Sequence, residues 1–188
     1  MTNTTQLPFD SAISADGTPK EKTAQEFTTG ILPSQTIRGM IAAGEITAEN
    51  PILEIQIQPA SIDLRLGDVA YRVRGSFLPG PRSKVLSRLE DFTMHEIKLN
   101  GGAVLEKGCV YVVPLQEGLS LGKEVSGLAN PKSSTGRLDI FTRIISDYTT
   151  EFDRIPMGYK GSLFAEISPL TFSVKVQTGT TLSQLRLR

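Results

Sequence analysis

The chain has 188 residues, 39% of them hydrophobic and 21% charged, which is the composition of a single globular domain and excludes a membrane-spanning or wholly disordered chain. Twenty basic side chains balance twenty acidic ones for a formal net charge of zero, so no bulk positive field exists to hold long nucleic acid. With one Cys (Cys109) and one His (His95) there is no internal disulfide and no four-ligand zinc site without two carboxylates, which sets a reducing, cytoplasmic location as the expectation.

Residues 1–30 are Thr-rich with scattered charge and no apolar period, so they bury too little surface to offset their ordering entropy. A flexible N-terminal arm is predicted there, and no apolar run follows a basic start as a signal peptide requires. From Pro33 the pattern turns helical: Ser34 offers a cap, Ile37, Met40 and Ile41 share one face, and Gly44 can end the helix. Beyond Ile52 the period becomes two. The runs ILEIQIQ, IDLRLG, VAYRVRG, GCVYVVPL, SLFAEI, FSVKVQ and LSQLRLR are separated by Gly, Pro, Asn and Asp. About ten short strands without repeated long helices predict a mostly β, mainly antiparallel domain, a sandwich or distorted barrel with one short N-terminal helix. The stretch SSTGRLDIF can open with a helical turn.

The densest polar cluster is Lys132-Ser133-Ser134-Thr135-Gly136-Arg137. Adjacent hydroxyls, turn N–H groups and flanking cations are what a polyphosphate needs, and a solvated turn is the competing reading. Glu166 in GSLFAEISPL shares a strand face with Ser162 and Phe164, opposite Leu163, Ala165 and Ile167. Such a carboxylate is either solvent-facing, the ordinary case, or a desolvated acid/base. Asp63 and Arg65 lie two apart, on one face of a strand, as an ion pair or as ligand contacts, with structural pairing the expected role. His95 reads as a surface or structural residue, and Cys109 as a small hydrophobe buried in an apolar strand. The zinc-deaminase signature, a Walker loop and a dinucleotide-binding glycine fingerprint are absent from the sequence.

Taken together in chain order, SQTIRGMIAAGEIT, QPASIDLRLG, GCVYVVPL, NPKSSTGRL, GYKGSLFAEI and GTTLSQLRL resemble the deoxycytidine triphosphate deaminases of the trimeric deoxyuridine triphosphatase-like fold family, from about Leu32 to Arg188. The resemblance implies zinc-independent hydrolysis of dCTP to dUTP and ammonia. By position it implies that Lys132, Ser133, Ser134, Arg137 and Gln184 bind nucleotide, that Ser133 and Arg137 assist the reaction, and that Glu166 is the general acid/base. Magnesium would arrive only with the triphosphate, and the partners would be a dCTP- or dUTP-type nucleotide and further copies in a homotrimer or a tandem pseudo-trimer, with no membrane. Three departures stand out. The connection over 142–157 is longer than is usual in the family. Pro156 lies where diphosphatase relatives place a water-activating Asp, leaving Asp153 nearest, which counts against a dUTP diphosphatase. The sequence also stops without the tail that closes over the triphosphate. The expectation is a β domain over 31–188 lacking its C-terminal lid, either active or serving as a non-catalytic nucleotide-binding half of a tandem deaminase.

Overall fold

The computed structural model describes residues 30–188. The arm expected over 1–30 falls, apart from Gly30, outside the described residues. The first element is a helix, α1 (Ser34–Ala42), with Ile37 and Met40 buried and Ile41 half-buried. Its cap differs from expectation. Pro33 takes the N-cap position and Ser34 is the first helical residue, with no side-chain cap bond; the proline loses nothing by lacking an N–H where the helix would leave one unpaired. Gly44 turns the chain out at φ 75°, a conformation that only glycine adopts without a Cβ penalty.

The run ILEIQIQ is not one strand. Glu54–Gln56 forms a 3-10 turn and only Ile57–Gln58 pairs, as β2, with β3 (Ser61–Arg65). The cause is Gln56, whose buried side chain accepts from the Leu53 N–H at 2.9 Å and donates to the Asp63 carbonyl and to Glu117 at 2.9 Å each. A buried amide with its bonds made outweighs an alternating apolar pattern.

The remaining strands are β1 (Ile46–Ala48), β4 (Val69–Val73), β5 (Thr93–Lys98), β6 (Ala103–Leu105), β7 (Val110–Ser120), β8 (Gly127–Pro131), β9 (Ile140–Ser146), β10 (Arg154–Ile155), β11 (Lys160–Pro169), β12 (Val174–Val176) and β13 (Thr181–Leu187). They pair antiparallel into one sheet ordered β5-β4-β7-β11-β9 with β1 added to β7, a second ordered β10-β8-β13-β3-β2, and the two-stranded pair β12-β6. None of the three closes on itself, so the architecture is a β sandwich rather than a barrel. Ile62, Leu64, Ala129, Leu185 and Leu187 of the second sheet meet Val113, Leu115, Ile144, Leu163, Ala165 and Ile167 of the first in one core. Where the sheets join, the Gly67 N–H donates to the Pro114 carbonyl at 2.8 Å, and a Cβ at Gly67 would sit 2.8 Å from that oxygen, so only glycine fits.

Two more helices appear. The short α3 (Ser133–Arg137) matches the helical turn anticipated in SSTGR. The sequence reading had no α2 (Val85–Phe92), which buries Val85 and Leu89 over the other face of the first sheet. There they join Val73, Phe77, Val112, Ile145 and Phe164 in a second apolar cluster, with Phe152 packed at its edge. Val85, Leu89 and Phe92 follow a helical period, but the segment is short and lies among strand-like runs. Ile31–Arg188 forms one compact unit, and no helix among the described residues is long and apolar enough to cross a membrane.

Candidate active site

Two clefts border α3. The first, about 410 Å³, is lined by Gln58, Ala60, Ser61, Asp63, Lys132, Ser133, Ser134, Gln184 and Arg186, with Pro59. The fold assembles it from three adjacent strands: Gln184 stands opposite both Asp63 and Asn130 in the β13 ladders, and β8 runs straight into Lys132 and α3. Ser133 and Ser134 are exposed to the cleft. Thr135 points inward and donates its hydroxyl to the Leu182 carbonyl at 2.9 Å, tying α3 to β13. Lys132 pairs with Asp63 and donates to the Thr181 hydroxyl at 3.2 Å, and Gln184 accepts from Ser61 at 3.2 Å. Hydroxyls, amides and two cations therefore converge, the donor set a polyphosphate calls for. Gln58, Ser61 and Arg186 went unnoticed in the sequence because strand pairing, not proximity in the chain, brings them here.

Four of the expected nucleotide-binding residues, Lys132, Ser133, Ser134 and Gln184, thus share one cleft. Arg137 does not join them: it is exposed on the last turn of α3 and lines neither cleft.

The second cleft, about 320 Å³, is lined by Pro131, Gly136, Asp139, Ile140, Phe141, Thr142, Arg143, Asp153 and Leu170. Glu166 lies behind it. It stands directly opposite Arg143 in the β11-β9 ladder and is 1% exposed. The alternation places it on the face of Phe164, as the sequence predicted, but the ordinary expectation of a solvent-facing carboxylate is wrong, because Arg143, itself held by Ser76 and the Phe152 and Phe141 rings, sits against it. Its Oε1 accepts from Arg143 Nε at 3.1 Å and Nη2 at 2.5 Å. Its Oε2 is buried without a hydrogen-bond partner. Arg143 Nη2 also donates to the Ser76 hydroxyl at 2.8 Å, and the guanidinium lies 3.5 Å from the centroid of Phe152 and 4.8 Å from that of Phe141. Arg143 was missed in the sequence, although it is the lone cation in the apolar strand IFTRIIS, the signal that could have singled it out.

Asp153 closes this corner at φ 62°. Its backbone N–H donates to the Ile144 carbonyl at 2.8 Å, and its Oδ1 accepts from the Ile144 N–H at 2.7 Å. Burial raises the Asp153 carboxyl above its ordinary value, opposed by the Ile144 hydrogen bond and by Arg143, with Glu166 pushing it further up. Nearby Tyr159 is pushed up to about 12, mainly by burial; its hydroxyl donates to the Ser162 carbonyl at 2.6 Å and accepts from the Asp147 N–H at 3.0 Å, a structural role.

Asp63 and Arg65 do not pair with each other. Asp63 takes Lys132, while Arg65 donates to Glu117 through Nε at 2.7 Å and through its own backbone N–H at 2.7 Å. His95 is exposed on β5, as expected. Cys109 is not buried within a strand. It precedes β7, half-exposed, and its sulfur accepts from Arg72 at 3.1 Å.

The family described as the N-terminal domain of 2'-deoxycytidine 5'-triphosphate deaminase matches residues 28–188. A dCTP deaminase, dUMP-forming, from Parafrankia sp. is 32% identical over 169 residues, spanning 84% of this chain and 75% of that protein. A dCTP deaminase from Haloarcula marismortui is 28% identical over 134 residues, spanning 70% and 66%. The crystal structure of 2'-deoxycytidine 5'-triphosphate deaminase from Agrobacterium tumefaciens superimposes with a TM-score of 0.84 at 55% identity, covering 86% of this chain and 48% of that one, so the chain spans about half the length of that relative. With the fold, the serine-lined cleft and the buried glutamate in place, the family match over 28–188 means that this chain belongs to the dCTP deaminase N-terminal domain family.

Proposed function

We propose that this chain takes dCTP, carried as its magnesium complex, and hydrolyses the C4 amine without zinc, giving dUTP and ammonia. The observation that carries the reading is Glu166: a carboxylate sealed under a sheet face, one oxygen held by Arg143 and the other without a partner. A buried carboxylate with an unpaired oxygen is costly, and acid/base sites are where such groups concentrate. In this reaction a water oxygen bonds to C4 as Glu166 takes a water proton and passes it to N3. The second water proton then goes by the same carboxylate to the amine, the C4–N4 bond breaks, ammonia leaves and the C4 carbonyl forms. Lys132, Ser133, Ser134 and Gln184 hold the triphosphate, with Arg137 added from outside the cleft.

Glu166 and the serine-lined cleft are separate within one chain, so the complete site draws on more than one copy of the fold, as a homotrimer or a tandem pseudo-trimer. Incubation with dCTP and magnesium is expected to release ammonia in the presence of a zinc-selective chelator. Glu166→Gln is expected to lower that rate by about 10³-fold or more while leaving nucleotide binding intact. Ammonia release at the normal rate by Glu166→Gln excludes this mechanism.

Two observations favour further readings. Relatives named dUMP-forming favour loss of pyrophosphate as well as ammonia, which a pyrophosphate assay separates. The doubled length of the 55% identical relative favours a non-catalytic nucleotide-binding half, for which nucleotide binds without turnover.

A further inference from the structure

The ion pair behind the second cleft has the same form as the exposed pair Arg38–Glu54, in which Nε and Nη2 also meet one carboxylate oxygen, but here the carboxylate is buried, so its second oxygen has no water to turn to. A guanidinium ordinarily meets a carboxylate as two parallel bonds, one to each oxygen. Here Arg143 Nε and Nη2 both converge on Oε1 of Glu166, at 3.1 and 2.5 Å, and Oε2 is buried and left alone. The guanidinium cannot easily rotate to share itself between the oxygens, because it is held on three sides: Ser76 accepts from Nη2 at 2.8 Å, and Phe152 and Phe141 contribute their ring faces. Phe152 comes from the loop between β9 and β10, since the expected 142–157 connection begins inside β9, and that loop is pinned to the segment before α2 by the Tyr148 N–H to Ser83 carbonyl and Gly80 N–H to Thr149 carbonyl bonds, 3.0 Å each.

We propose that Arg143 is the positioning residue of Glu166: by committing Oε1 it fixes the carboxylate rotamer and leaves Oε2 as the one oxygen that exchanges protons with water, N3 and the departing amine. This rests on the acid/base reading of Glu166 above. Arg143 touches no reacting atom in this scheme; Ser76, Phe141 and Phe152 hold it in turn. The loop between β9 and β10, expected from the sequence to be longer than is usual in the family, then has a purpose as the source of one wall of that holder. A supporting shell of this kind matters because a reacting group displaced by about 1 Å loses roughly 10²-fold in rate.

The test compares kcat for ammonia release and KM for dCTP in Arg143→Gln, Arg143→Lys and Ser76→Ala. Arg143→Gln is expected to lose about 10²-fold in kcat with KM within about threefold. Arg143→Lys, a single point donor, is expected to recover part of that loss, and Ser76→Ala to cost a few-fold in kcat alone. An unchanged kcat in Arg143→Gln, or a raised KM with kcat intact, overturns the proposal, the second outcome making Arg143 a substrate-binding residue instead. Should Arg143→Gln fail to fold, Phe152→Leu and Ser76→Ala decide the matter, since both loosen the guanidinium without stranding Glu166; normal kcat in both overturns it. Glu166→Gln separates the two readings: full turnover there removes the acid/base role, whereas a dead Glu166→Gln beside a fully active Arg143→Gln removes only the role of Arg143. If the wild-type chain turns over no dCTP, the carboxyl carbon of Glu166 in labelled protein still reports on positioning. One narrow signal that broadens in Arg143→Gln supports it, and an unaltered signal overturns it.

Discussion

Buried charge in this protein occurs as pairs with different degrees of satisfaction, and the two carboxylates that keep an unpartnered oxygen, Asp63 and Glu166, lie one in the serine-lined cleft and one behind the second cleft. Glu117 is as buried as Glu166, yet Arg65 and Gln56 saturate it through the guanidinium, a backbone N–H and an amide, which is a structural network. Glu166 keeps one oxygen in reserve. Asp153 lies between these cases. Its folded carboxyl is raised by burial, so the native state holds that proton more tightly than the unfolded chain does, and stability falls as pH rises from the ordinary carboxylate value through the raised one. Asn preserves both the acceptor to the Ile144 N–H and the tolerance for φ 62° without titrating. Asp153→Asn is therefore expected to melt higher than the wild type near neutral pH, the gap closing in melts taken below the ordinary carboxylate range.

At the scale of elements, β11 shows how much a strand pattern can carry. Its alternation sends Leu163, Ala165 and Ile167 into the core between the sheets and Phe164 into the second cluster, which places Glu166 on the Phe164 side from sequence alone. The helix α2 shows the reverse. Its first turn depends on a residue far along the chain: Asp147 Oδ1 accepts from the Val85 N–H at 2.8 Å. A carboxylate there satisfies a free helix N–H and complements the helix dipole. Asp147→Ala is expected to cost about 1–2 kcal/mol, read in denaturant unfolding, with faster amide exchange concentrated in α2 and in the Gly80–Val85 loop. The same contact ties the loop after β9 to the helix that covers the second apolar cluster, so the sheet, the helix and that loop act as one support.

Over the whole molecule, two apolar clusters on opposite faces of the first sheet carry the stability. Leu185 belongs to one and Leu89 to the other. Each Leu→Ala change is expected to cost about 2–5 kcal/mol. Because the two residues share no partners, the double variant is expected to lose the sum within about 0.5 kcal/mol, measured by equilibrium unfolding. A double variant losing much less than the sum means that the sheet between them redistributes strain.

The period-two runs, the turn residues between them and the Lys132-Ser133-Ser134 cluster were enough to determine a mostly β domain, the first helix and the polar character of the cleft, since strand alternation and turn chemistry are local properties. Tertiary structure alone decided the rest. Gln56 turned an apolar run into a 3-10 turn by bonding to residues of β3 and β7, α2 formed as the lid of a second cluster, and Glu166 became buried because segments remote in sequence cover it. Arg143 acquired its partner by cross-strand register, which no spacing along the chain encodes. Burial and pairing are sums over neighbours brought together by folding, so a sequence can nominate a carboxylate for chemistry, while the packed structure decides which of its oxygens remains free.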